Sequence, residues 1–424
     1  MMKKILCLAL AVLMLLGLCA CSGKKAAWEG KFSVGFGRVD ITPEPGIAMG
    51  GYTASGEASR VAKGVYNNLY ITCVAITDEK GQTALLYTCD VKSIATYTAT
   101  QLRNAAAEAT GVPKAQIAIS ATHTHSAPDV AASFGKKCKE AVVEAGKQAM
   151  ADRAPTTMEY GKTEIEGMSF VRHYTTSSGR VIGDNFSSGS YGTITGHTTQ
   201  ADKEVRAVRF IREGKKPVII ANWLGHASTA STGSTAYGTQ HRYLLASDYV
   251  GTCRDYIEKN SDCLFALYMG ASGNINPNSA ISGESYSQKT DEIGENLAKH
   301  ILSCLESKTT GTTGDVKVKE VTYKGKAGNG STVQMDIAAV GVGSLGFVVA
   351  PFEMFDTTSV NIRAESPYDM TFVLTQANGA MGYMPTEKCW DYPGCYEVIN
   401  CKFNKGTAEL LVGEYLTLLR ELHG

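Results

Sequence analysis

Four side chains of the types that hold a divalent cation stand in this chain where an apolar run ends. His123 and His125 lie in Ser120-Ala121-Thr122-His123-Thr124-His125-Ser126-Ala127-Pro128, His226 in Gly225-His226-Ala227-Ser228, and Glu353 in Ala350-Pro351-Phe352-Glu353. Only eight histidines occur in 424 residues, so two at i and i+2 are a rare coincidence. On an extended backbone that spacing turns both rings to one face. Imidazole and carboxylate donors with one position left for water are what a catalytic zinc site needs, whereas a structural site draws more often on cysteines in close pairs. Each residue also has a plain reading. The histidines could be hydrogen-bonded surface or core residues, and Glu353 a helix N-terminal acid favoured by the dipole. Only the metal requires all of them to meet.

The elements that must bring them together are legible from apolar patterning. Gln116-Ile117-Ala118-Ile119 reads as a short buried strand before the first pair, and 217–223 as the second arm of a hairpin from 205–211 that delivers His226. A strand over 345–349 delivers Glu353. A further strand over 263–268 leads into Gly270-Ala271-Ser272-Gly273-Asn274-Ile275-Asn276-Pro277. Strands are also expected at 34–41, 69–76, 83–88, 316–323, 333–340 and 370–375. Helices are expected at 95–109, ending at Gly111, and at 130–152, 249–258, 288–305 and 407–419. Asp248 could cap the helix at 249. Met49-Gly50-Gly51-Tyr52 is a glycine loop that could bring backbone close to a site. There is no repeat and no long linker, and strands and helices mix throughout. The expectation is one α/β (mixed α+β) body, with mixed sheets flanked by helices and the metal site at strand ends.

The chain limits bear on compartment. Met1-Met2-Lys3-Lys4 followed by the apolar run 5–18 reads as a targeting segment, too short for a stable membrane span. It runs into Leu18-Cys19-Ala20-Cys21, which resembles a bacterial lipobox. We expect residues 1–20 to be a lipoprotein signal peptide, Cys21 the acylated first residue, 21–31 a polar tether and 32–424 the catalytic domain. An acyl chain would hold the protein at an extracytoplasmic membrane surface, each buried methylene contributing about 0.8 kcal/mol. A plain secretory signal is the alternative. Lys+Arg and Asp+Glu balance at 41 each, which removes the basic field that nucleic-acid binding needs. Nine cysteines remain beyond the leader, an odd number, so at least one is unpaired. Several lie in apolar runs, where a thiol packs as a small hydrophobe. A bridge among the neighbouring Cys389, Cys395 and Cys401 is compatible with an oxidising compartment.

The stretches VGFGRVDITP (34–43), MGGY (49–52), ISATHTHSAP (119–128), NWLGHAS (222–228), SDY (247–249), GASGNINPN (270–278), APFEMF (350–355) and GYMPTEKCWDYPGCYE (382–397) follow one another in an order that resembles the catalytic domain of the neutral/alkaline, non-lysosomal ceramidases. The likeness covers nearly the whole mature chain, without the family's C-terminal β-domain. It implies a zinc hydrolase of N-acyl lipids, with zinc ligands at His123, His226, Glu353 and Tyr383. His125 would lie beside the metal, Arg172 would approach the substrate, and Tyr396 would stand near the scissile bond. Tyr392 competes with Tyr383 for the tyrosine position. The sequence departs from the family at one point: the active-site serine falls on Gly270. Ser272, two residues on, would share that face if the backbone were extended.

The reaction so implied is hydrolysis of an amide or related ester. Zinc would lower the pKa of its bound water and polarise the carbonyl, with His125 moving the proton to the leaving group. Arg172 and Tyr396 would stabilise oxyanion charge, and Gly50, Gly51 and Ser272 would line the substrate's approach. Asp90 and Asp248 could fix ligand tautomers from behind. The Gly/Ser/Thr-rich stretch 174–200 could act as a lid. The alternatives are a hydrolase of another acylated molecule, such as a cell-wall amide or an N-acyl amino acid, and a non-catalytic solute-binding surface lipoprotein.

Overall fold

The computed structural model describes residues 30–51, 60–185, 191–231 and 241–424. The leader with Cys21, Tyr52 and the centre of the 174–200 stretch lie outside them. Two sheets form the centre. The larger has nine strands, in the order Leu264–Met269, Val218–Trp223, Glu204–Arg212, Ala154–Glu164, Ser33–Asp40, Tyr70–Thr77, Thr83–Cys89 and Ile117–Ala121, with Thr309–Gly311 pairing on Ala154–Glu164. The smaller runs Val316–Lys326, Thr332–Val342, Leu345–Val349, Met370–Leu374.

Alternation explains how the layers stack. In Tyr70–Thr77, Val74 and Ile76 face the smaller sheet, while Ile71, Cys73 and Ala75 face helices. In Thr83–Cys89, Ala84 and Leu86 point one way and Leu85, Tyr87 and Cys89 the other. Both faces are buried, so these strands read as almost continuous apolar runs. Between the sheets Val34, Phe36 and Leu86 of the larger meet Val340, Phe347 and Phe372 of the smaller. Helices Thr96–Thr110 and Ala132–Ala151 cover one half of the outer face of the larger sheet, and Tyr249–Asn260 and Thr290–Cys304 the other. Asp356–Glu365 and Thr407–His423 cover the smaller sheet, the latter through Leu411, Tyr415, Leu418 and Leu422 at helical spacing. The result is a helix–sheet–sheet–helix sandwich in a single domain. Ala132–Ala151 packs close because Gly35 and Gly37 carry no side chain: a Cβ there would lie 1.9 and 2.1 Å from the carbonyl oxygens of Ala149 and Ala145.

The strands expected at 69–76 and 83–88, and the hairpin expected from 205–211 and 217–223, form antiparallel pairs at Tyr70–Thr77 with Thr83–Cys89 and Glu204–Arg212 with Val218–Trp223. Gly111 closes the first helix in the left-handed region. Within the two central sheets three strand pairs are parallel: Thr83–Cys89 with Ile117–Ala121, Val218–Trp223 with Leu264–Met269, and Leu345–Val349 with Met370–Leu374. Their carboxyl ends lead into His123, His226, Ser272 and Glu353. The 174–200 stretch is more ordered than its composition suggests. Its described part forms a three-stranded sheet of His173–Thr176, Val181–Gly183 and Ile194–His197. No helix of the described residues is long and apolar enough to cross a membrane.

Candidate active site

The strand bearing the first two histidines ends at Ala121, and His123 has φ +63°, so the pair does not share a face by strand alternation. They converge by a different route. Thr122 N–H donates to Cys89 O and His123 N–H to Val91 O, pinning the exit of the strand. His125 N–H then donates to Ala227 O at 3.0 Å, tying the first histidine loop to the second. On that second loop, Asp248 caps its own helix through Tyr249 N–H and accepts from the Thr229 hydroxyl and Ala230 N–H. Asp248 therefore fixes the loop of His226 and touches no imidazole.

The outcome is a closed set of nitrogen atoms. His125 Nε2 lies 3.4 Å from His123 Nε2 and 3.2 Å from His226 Nε2, and all three rings are buried. Glu353 Oε2 stands 3.3 Å from His123 Nε2. The Nδ1 atoms fix the tautomers: His123 Nδ1 bonds Lys92 O at 2.7 Å and His226 Nδ1 bonds Ser272 O at 3.3 Å. Protons held on Nδ1 leave Nε2 lone pairs aimed at one point. Burial and the neighbouring imidazole push His125 well below the ordinary histidine range and His226 down to about 3. Both are thus neutral near pH 7, the form that ligates. Glu353 is held down to about 2 against its burial, by His123, His226 and Arg172. Its buried Oε2 accepts no hydrogen bond. With the His123 proton held on Nδ1, the Nε2 that faces this buried carboxylate oxygen at 3.3 Å offers a lone pair, an arrangement that a cation between them would relieve. These residues fit a divalent metal.

The far side of the cluster is built by two short pairings. Glu353–Met354 pairs in parallel with Tyr383–Met384, setting Glu353 beside Tyr383. The Tyr383 hydroxyl bonds Glu353 and Arg172, and burial, then the Glu353 charge, raises its pKa. Tyr392 is elsewhere: its ring packs edge-on against His173, centroids 5.8 Å apart. Phe170–Val171 pairs with Ile275–Asn276, placing Arg172 with its Cζ 5.5 Å from the Tyr383 ring. Tyr396 packs edge-on against Tyr383 at 5.5 Å and is 36% exposed, so it stands at the solvent end.

Behind Arg172 lies a group that sequence reasoning missed. Glu397 is fully buried and accepts from Arg172 Nε at 2.8 Å through Oε1, with Nη2 ion-paired to the same oxygen at 2.7 Å. Its Oε2 lies 3.0 Å from His173 Nε2 and accepts from the Cys395 thiol at 3.2 Å. His173 rises to about 9 although burial works against it, because Cys389 and Glu397 stabilise its proton. Glu397 is correspondingly held far below the carboxylate range by Arg172 and His173. The only signal in the sequence was its place beside Tyr396.

A ceramidase complexed with C2 aligns over 93% of this chain and 75% of its own, with TM-score 0.74 and 14% identity. Neutral ceramidase from Pseudomonas aeruginosa aligns over 92% and 75%, with TM-score 0.73 and 15% identity. The chain has the neutral ceramidase fold. No protein-family model and no curated protein sequence matches it. At this identity the ceramidase likeness is one of architecture, and the chemistry must be argued from the residues themselves.

Several expectations are corrected. Asp90 accepts from Tyr70 N–H and Arg254 Nη1, both at 2.9 Å, and orients no ligand. The segment after Met269 is irregular rather than extended, so Gly270 and Ser272 do not share a strand face. A Cβ on Gly270 would lie 3.0 Å from Trp223 O. A side chain there would start against the backbone of the neighbouring strand. Ser272 meets the site through its carbonyl, while its buried Oγ has no hydrogen-bond partner. All nine described cysteines are free thiols, so no bridge joins Cys389, Cys395 and Cys401. Gly51 has φ +90°, and a Cβ on it would come within 2.8 Å of His125 O and 3.1 Å of His125 Nδ1. With Gly50, Met49, Lys92, Asp129 and Phe134 it lines a cavity of about 510 Å³.

Proposed function

We propose that this chain is a zinc-dependent amidohydrolase, ceramidase-like in mechanism, that cleaves the amide bond of an N-acyl compound. The observation that carries it is the meeting of three Nε2 atoms with an uncompensated Glu353 oxygen. His123, His226 and Glu353 would hold the ion, with Tyr383 beside Glu353. A bound zinc ion supplies Lewis acidity to the carbonyl and acidifies water. The protein's own groups do the rest. Neutral His125 accepts a proton and returns it to the leaving nitrogen. Arg172, held in place by Glu397, and Tyr396 at the mouth stabilise the charge that grows on the carbonyl oxygen. The cavity along Gly50 and Gly51 receives the substrate; its volume suits a small-molecule ligand. Acylation at Cys21 would keep the enzyme on the outer side of a membrane, where N-acyl lipids are at hand.

The test is metal content paired with turnover. Purified protein should hold one zinc per chain and hydrolyse members of a panel of N-acyl lipids, N-acyl amino acids and cell-wall amides. Protein that holds no metal and cleaves nothing would instead favour a solute-binding lipoprotein on the same fold.

A further inference from the structure

The thiols behind Arg172 have no part in the hydrolytic reading, yet their placement is specific. Cys389 lies in the short helix Glu387–Asp391, and Cys395 immediately precedes the turn Tyr396–Ile399. Two successive turns connect them: Tyr392 N–H donates to Cys389 O and Cys395 N–H to Tyr392 O, each at 3.1 Å. Both side chains thereby enter one small apolar cluster with Phe355 and Tyr383. There both sulfurs reach the same His173–Glu397 pair. Cys389 Sγ is 3.9 Å from His173 Nδ1, and the Cys395 thiol donates to Glu397 Oε2. The six other described cysteines that are fully buried lie in helix or strand packing, among apolar neighbours. A cation has little claim on this group. Glu397 already accepts from Arg172 on one oxygen and faces His173 and Cys395 with the other.

We propose that Cys389 and Cys395 form an oxidisable pair, which hydrogen peroxide converts to a disulfide directly behind the arginine of the active site. Cys389 is the attacking sulfur. It is the more exposed of the two, at 5% against 2%, and its Sγ faces the His173 imidazole. Its Sγ attacks one peroxide oxygen, the O–O bond breaks, and the departing hydroxide takes a proton to leave as water, giving a sulfenic acid. Cys395 Sγ then attacks that sulfur, the S–O bond breaks, and a second water leaves with the Cys395 proton. Two thiols and one peroxide give one disulfide and two waters. The new bond removes the Cys395 donor from Glu397 and draws Cys389 away from His173, so it loosens the support on which Arg172 rests.

The experiment needs no substrate. Folded full-length protein is treated with hydrogen peroxide, denatured with iodoacetamide, digested without reductant and analysed by mass spectrometry. A peptide joining Cys389 to Cys395, the loss of two alkylatable thiols per chain and reversal by dithiothreitol are the expected result. The proposal is overturned if both cysteines remain alkylated, if either pairs with another cysteine, or if Cys389 proceeds to sulfinic acid while Cys395 stays free. Cys395→Ser supplies the control: it should divert Cys389 to sulfinic acid. The same Cys389 product in this variant and the wild type would also overturn the proposal.

Discussion

Replacing Glu397 by glutamine tests the physical basis of the site without touching the donor cluster. The substitution keeps shape and removes one charge, leaving Arg172 and His173 buried beside a neutral amide. Breaking a buried ion pair by neutralising one member costs about 3–5 kcal/mol. The pH dependence is a second signature. His173 sits at about 9 in the fold against an ordinary 6.5. That difference is worth about 3–4 kcal/mol at roughly 1.4 kcal/mol per unit. A raised folded pKa stabilises below the unfolded value, so this contribution is complete below about pH 6.5 and declines as pH rises through 9. The groups around His173 that share this response are Glu397, Arg172, Cys389, Cys395 and Tyr392. Depressed His125 and His226 add stability as pH rises through 6.5, so the His173 contribution is read as wild type minus variant in urea unfolding followed by tryptophan fluorescence at pH 6, 7.5 and 9. Glu397→Gln should be weaker at pH 6 by several kcal/mol, with the gap to wild type narrowing as pH rises to 9. A variant within about 1 kcal/mol of wild type, or one with the same slope, would refute the claim that this carboxylate anchors two cations.

His226→Ala should lose both retained zinc and turnover in equilibrium dialysis and amidase assays; full zinc occupancy in the variant would remove His226 from the site. Gly51→Ala places a side chain at φ +90° against His125, and should cost about 1–3 kcal/mol in chemical denaturation while lowering turnover. Phe347→Ala opens a hole between the two sheets, where Phe347 stacks on Phe372, and should cost about 3–5 kcal/mol with little change in bound metal per folded chain. Chelation of the metal should destabilise the wild type in thermal melts by leaving Glu353 facing imidazoles without a cation.

The parts of this molecule that obey local rules were legible in its sequence. Alternation in 70–77 and 83–89, the glycine stop at 111 and the apolar runs before His226 and Glu353 all depend on near neighbours, and the elements form where those signals place them. Donor types and their positions at strand exits were legible for the same reason. What escaped was decided by distant contacts. Glu397 looks like a surface acid until Arg172 and His173, more than 200 positions earlier, arrive beside it. Asp90 looked like a partner for histidine because it follows a strand, but Arg254 reaches it from a helix. Cysteine spacing does not report redox state, since the distance between two thiols is set by a turn and a packed cluster.

The mistaken reason for the histidine pair is itself informative. Two side chains on a regular strand would have shared a face without strain, but the chain leaves the strand and forces His123 to φ +63°. Among the described residues only six non-glycine residues have positive φ, and Asp248, Gln376 and Asn378 join His123 in bracing this region. Gln376 O accepts from Ala121 N–H, Asn378 Oδ1 from Ile119 N–H, and Asp248 from the His226 loop. Backbone of this kind costs about 1–3 kcal/mol per residue and persists only where surrounding contacts impose it. Its concentration around one cluster means that folding energy is spent on aiming imidazoles. His123→Gly should therefore separate two effects: relief of strain offsets part of the lost packing in urea denaturation, while metal affinity falls steeply. A variant with intact zinc affinity would show that the strained turn serves the fold alone.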